Sequence, residues 1–190
     1  MRNCRISYEE FLKESERVQT LSIDAQKAAY ARWMEQEQEK TATRVHICFQ
    51  YAKLFYQNGD FRSAIEILEP LVLDYQSYGF TPKLISCFNL MGVASHCETE
   101  YNVSRYFYEI ALKIATKNHL TSFIGYEYNN IALSYTASGR YAEALHSLEE
   151  GENYLPGEDN DLGAYLFVNK TITYRKLHML PQALEAYQIA

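Results

Sequence analysis

Histidine and cysteine are the side chains in this chain best able to bind a metal or attack a substrate, and their spacing supports neither. His46, His96, His119, His146 and His178 include no pair at i, i+4, so no two imidazoles would share a helix face, and no acidic partner stands at ligand spacing. His46 and Cys48 are two residues apart, which is a poor ligand spacing on a helix. Cys4, Cys48, Cys87 and Cys97 form no CxxC pair, so they read as reduced thiols, mostly buried as small hydrophobes. The acidic run Gly157-Glu158-Asp159-Asn160-Asp161 lacks the sixth-position glycine and the distal glutamate of a calcium loop. It reads instead as punctuation, with Pro156-Gly157 breaking one helix and Asp161 capping the next. There is no glycine-rich phosphate loop and no nucleophile elbow. The chain is therefore expected to hold no metal and no cofactor, and not to be an enzyme.

The elements that would position any other site are set by an internal repeat. In the segment from Asn130 to Leu148, small Ala132 is followed by Tyr135, Gly139, Tyr141, Ala144 and Leu148. The same spacings recur at Ala52, Phe55, Gly59, Phe61, Ala64 and Leu68, and at Gly92, Ser95, Thr99, Tyr101, Ser104 and Tyr108. They recur again at Thr171, Tyr174, His178, Leu180, Ala183 and Tyr187, so the first column falls at 52, 92, 132 and 171, in steps of 40, 40 and 39. Small residues at Ala52/Ala64, Gly92/Ser104, Ala132/Ala144 and Thr171/Ala183 predict close helix crossings, with the rings filling the space around them. Gly59 and Gly139 predict left-handed helix ends, and Asp60 an N-cap for the helix that follows.

These columns resemble the tetratricopeptide repeat, W-x2-L-G-x2-Y followed by A-x3-F and a terminal proline, for which Pro156 stands in the third unit. The resemblance implies an all-α fold, a right-handed α-solenoid of antiparallel helix pairs, covering about residues 41–190. Four pairs are expected at about 41–80, 81–120, 121–160 and 161–190, the last incomplete. Residues 1–40 read as a degenerate capping pair: Ser7 and Glu10 have capping-box spacing, and a second helix over about 24–39 would turn Ala28, Ala31 and Trp33 inward. The tryptophan column holds Cys48, Phe88, Tyr128 and Phe167, and Lys170 sits at a usually apolar place. The period near 40 is longer than the family's 34 residues. It looks more like the N-terminal input regions of bacterial signalling regulators, such as those preceding diguanylate cyclase (GGDEF) output domains.

Arrays of this kind bind proteins or peptides, and their first helices line a concave face. In this register that face would carry Lys53, then Asn89 and His96, then Tyr126, Asn129 and Asn130, then Tyr165, Asn169 and Arg175. Asn130 and Asn169 match the asparagine that holds a ligand backbone in peptide-binding members, since one amide both donates and accepts. The alternative is that these amides bond a neighbouring helix. Arg175 and Lys53 would meet an acidic group.

The net charge of −6 and scattered basic residues argue against nucleic acid as partner. No apolar run reaches the roughly 20 residues of a membrane span, and the N-terminus lacks a signal-peptide core, so no membrane partner and a cytoplasmic location are expected. The chain closes inside a second helix with no polar cap, as the N-terminal part of a longer protein would, and that end is a candidate for self-association. A free-standing adaptor or scaffold is the alternative to a sensory or regulatory region; an enzyme with a concealed site fits least.

Overall fold

The structure, a computed structural model, describes residues 6–73, 77, 82–155 and 161–190. Cys4 and the Pro156-Gly157 break lie outside these residues. Among the described residues there are ten α-helices and no strand. They are α1 (Tyr8–Val18), α2 (Ile23–Gln36), α3 (Ala42–Gln57), α4 (Phe61–Leu73), α5 (Pro82–Cys97), α6 (Tyr101–Lys117), α7 (Thr121–Ala137), α8 (Tyr141–Glu152), α9 (Asp161–Lys176) and α10 (Leu180–Ile189). The fold is the all-α helix-pair solenoid class that the repeat predicts. None of these helices is long and apolar enough to cross a membrane.

The chain divides into two compact units, Met1–Glu98 with α1 to α5 and Thr99–Ala190 with α6 to α10. In the first unit, α1 starts on a complete capping box: Ser7 Oγ accepts from Glu10 N–H, and Ser7 N–H donates to the Glu10 carboxylate. Helix α2 ends at Gln36, earlier than the pattern implies, because Gln38 and Thr41 already bond turn and cap groups. Its inward residues are Ala29, Tyr30 and Trp33, whereas Ala28 is exposed and Ala31 half-buried, a correction of one residue in the helix's rotation. Trp33 packs edge-on against Phe11 and Tyr30. Helices α3 and α4 pack together with Ala52 and Ala64 both fully buried. Between them Gly59 has φ +78°, and Asp60 Oδ1 accepts from Ser63 N–H at 3.1 Å, the predicted stop and cap.

In the second unit, Ala132 of α7 and Ala144 of α8 are fully buried in one cluster with Leu148, Leu162 and Leu166. A second close crossing lies at the other end of the same pair. Gly125 and Gly151 face each other, and a Cβ at Gly125 would stand 2.4 Å from Leu162 Cδ2. Gly139 turns at φ +77°. The places without glycine bend the same way: Thr99 has φ 63°, His178 φ 59°, and His119, in the turn before α7, φ 55°. The turn thus imposes the left-handed conformation on residues that resist it. Half-buried Lys170 stands at its apolar place because it forms an ion pair with Glu152 of α8.

Candidate functional site

The residues expected on one concave face fall into both units: Lys53, Asn89 and His96 in the first, the other six in the second.

In the first unit the face of α3 is partly closed. His46 is buried under α1, with Tyr8 Oη 3.0 Å from its Nδ1 and Phe11 edge-on to its ring. Gln50 Nε2 lies 3.3 Å from His46 Nε2. Burial, and then the nearby Lys83 ammonium, lowers the His46 pKa to about 4, so the ring is neutral near pH 7. Exposed Lys53 borders a cavity of about 410 Å³ whose walls include Gln19, Gln26, Tyr30, Gln50 and Gln57. Gln50 belongs to the expected inward column with Lys53, whereas Gln19 and Gln26 escape it, because nothing in the repeat columns ties the α1–α2 turn to α3. Asn89 and His96 are half-buried on α5, and burial lowers the His96 pKa. Cys48 and Cys87 are buried, and loss of solvent raises both thiols, Cys48 to about 11, which makes them poor nucleophiles.

In the second unit α7 and α9 lie side by side and run parallel. Tyr126 and Tyr165 rings are 6.4 Å apart, Asn169 Nδ2 donates to Asn129 Oδ1 at 2.7 Å, and the Thr136 and Thr173 hydroxyls are 3.1 Å apart. Along this pair Tyr126, Leu133, Tyr165, Val168 and Ile172 are exposed. The Tyr126 and Tyr165 column is thus brought together as expected. The asparagines are arranged differently. Asn129 is buried, Asn130 half-buried, and Asn169 spends an amide hydrogen on Asn129. Arg175 is exposed beyond Ile172. Val168 went unnoticed, although its place three after Tyr165 and four before Ile172 is the signal of one helix face. So did Glu127, fully buried in the column of Ile47 and Cys87, 40 residues apart in turn.

Among the described residues no group of His, Cys, Asp and Glu could hold a metal. The arrangement is an apolar strip with amides and a cation, chemistry suited to holding a polypeptide surface.

The fold has solved counterparts. A kinesin-light-chain-like protein of Podosopora anserina, built of nearly identical TPR-like repeats, matches with TM-score 0.74 at 17% identity, over 95% of this chain and 89% of that one. MamA matches with TM-score 0.70 at 16% identity, over 95% and 88%. At such identities the likeness establishes the fold, a TPR-like stack of helix pairs, and nothing finer. No protein-family model matches the chain, and no curated protein does.

Proposed function

We propose that the chain is a protein- or peptide-binding module of the tetratricopeptide type, without catalytic activity of its own, and that the α7/α9 face is its binding surface. The observation carrying this reading is the exposed strip of Tyr126, Leu133, Tyr165, Val168 and Ile172. Contiguous apolar surface with polar neighbours marks interaction sites. Half-buried Asn130 lies within the strip, between Tyr126 and Leu133, and exposed Arg175 stands beyond its end and supplies charge. Lys53, Asn89 and His96 form the corresponding surface of the first unit.

The test is a ligand recovered by pull-down and titrated by calorimetry against Tyr165→Ala, Asn130→Ala and Asn169→Ala. Tyr165→Ala should cost about tenfold or more in affinity, as loss of a buried aromatic anchor does. Normal folding and unchanged binding in all three variants would move the site elsewhere.

A second surface is the face of α10. Leu180, Leu184 and Tyr187 are exposed, whereas Leu148, at the place on α8 that corresponds to Tyr187, is fully buried beneath Leu162 and Leu166 of α9. This face is proposed for self-association. The helix-pair spacing near 40 residues also supports the reading of a sensory or regulatory region in a larger bacterial signalling protein, one with a diguanylate cyclase output domain among the candidates. The gene's full reading frame tests that reading.

A further inference from the structure

Resting on the reading of α7/α9 as the binding surface, we infer that its occupant is an amphipathic helix with an acidic residue near one end, rather than an extended peptide.

Three observations carry this. The first is the state of the amides. An extended ligand would be held by side-chain amides pairing with its backbone, but Asn169 Nδ2 is directed 2.7 Å away to Asn129 Oδ1, and Asn129 is buried. The pair ties α7 to α9 and commits one of the two Nδ2 hydrogens of Asn169 to that tie, so most of the exposed surface of the strip is apolar side chain.

The second is spacing. Tyr126 and Leu133 on α7, and Tyr165 and Ile172 on α9, form two rows seven residues apart. Seven helical residues span about 10.5 Å. A helical ligand repeats its own face at i and i+7 over the same distance, so two large apolar residues meet both rows at once. In an extended strand, residues on one face recur about every 6.8 Å, out of step with rows 10.5 Å apart. Two parallel helices also leave a groove between their side-chain ridges, the surface into which a third helix packs. Between the rows lie exposed Val168 and half-buried Asn130 and Asn169, so the ligand's i+3 or i+4 position meets a mixed apolar and amide surface.

The third is charge. Neither helix presents a carboxylate along the strip: Glu127, the one acid of α7, is buried, and Asp161 stands at the first residue of α9. Exposed Arg175 follows Ile172 by three residues, with exposed Lys176 beside it. An acidic residue one turn beyond an apolar anchor would meet them.

Selection from two displayed peptide libraries of equal composition tests this, one held helical by i, i+4 staples and one interrupted by prolines. Winners should come from the helical library, carry large apolar residues at i and i+7 with an acid one turn beyond, and lose about tenfold or more in affinity against both Tyr165→Ala and Arg175→Glu. Winners from the proline library that are weakened by the same variants would overturn the helical occupant and leave the binding surface standing. Winners weakened by none of them, or no winners from either library, would overturn both. Circular dichroism of each variant confirms that it folds.

Discussion

Residues 59, 99, 139 and 178 all occupy the same turn, yet only two are glycine. Left-handed backbone costs an ordinary residue about 1–2 kcal/mol, most for a β-branched one, while glycine takes it freely. Thr99→Gly should therefore raise stability by about 0.5–1 kcal/mol after the entropy that glycine adds to the unfolded chain. A chemical-denaturation midpoint that does not rise would show that Thr99 holds compensating contacts. His46 gives a pH prediction. Its folded pKa, about 4, lies below the free value of 6.5, so the unfolded chain binds the proton first. The stability of the neutral ring is present above about pH 6.5 and is lost as pH falls through about 4. Urea midpoints at pH 7 and pH 5 should differ for the parent, and His46→Gln should remove that part of the difference. Both effects are only half legible in the sequence. Repeat spacing locates the turn, but which α1 residues cover His46 depends on how α1 lies over α3.

Helix pairing in the second unit depends on small residues at two levels. Ala132 and Ala144 were visible as columns; Gly125 and Gly151 were not, because no other unit has glycine at either place. Ala144→Leu should destabilise by about 1–3 kcal/mol through overpacking. Gly125→Ala should also destabilise, by about 1–2 kcal/mol, since the new methyl would press on Leu162, which is fully buried and cannot retreat to solvent. Helix propensity alone favours alanine here by about 0.5–1 kcal/mol, so the sign of the change decides between the two effects. Differential scanning calorimetry of both variants reads it. Lys170 shows the same limit of sequence patterning. It breaks the apolar pattern of α9, and only its pairing with Glu152 across to α8 explains why the helix keeps its place.

For the chain as a whole, each helix pair in a stack touches only its neighbours, so strain should stay close to where it is introduced. The lone tryptophan, Trp33, lies in the first unit and Gly125 in the second. Gly125→Ala should shift the unfolding midpoint seen by far-ultraviolet circular dichroism more than the midpoint seen by Trp33 fluorescence. Coincident shifts would make the chain one cooperative block. If the α10 face joins copies, light scattering should show a mass that rises with concentration, and Leu184→Glu with Tyr187→Ser should abolish the rise.

What the sequence determined by itself was much of what depends on spacing along the chain: the pairing of helices, the turns at Gly59 and Gly139, the Ala52/Ala64 and Ala132/Ala144 crossings and the Ser7 cap. These follow from local hydrogen bonding and from the volume of a side chain at a repeated position, both written into residue type and interval. The binding surface was legible as columns but not as contacts. Side-chain contacts between α7 and α9 join residues 39, 40 and 37 positions apart, at Tyr126/Tyr165, Asn129/Asn169 and Thr136/Thr173. No fixed repeat predicts that drift, because the rotation and slide of two packed helices are set by the side chains between them. Tertiary packing therefore decided that Asn169 meets Asn129, that Glu127 is buried, and that the tyrosines remain at the surface.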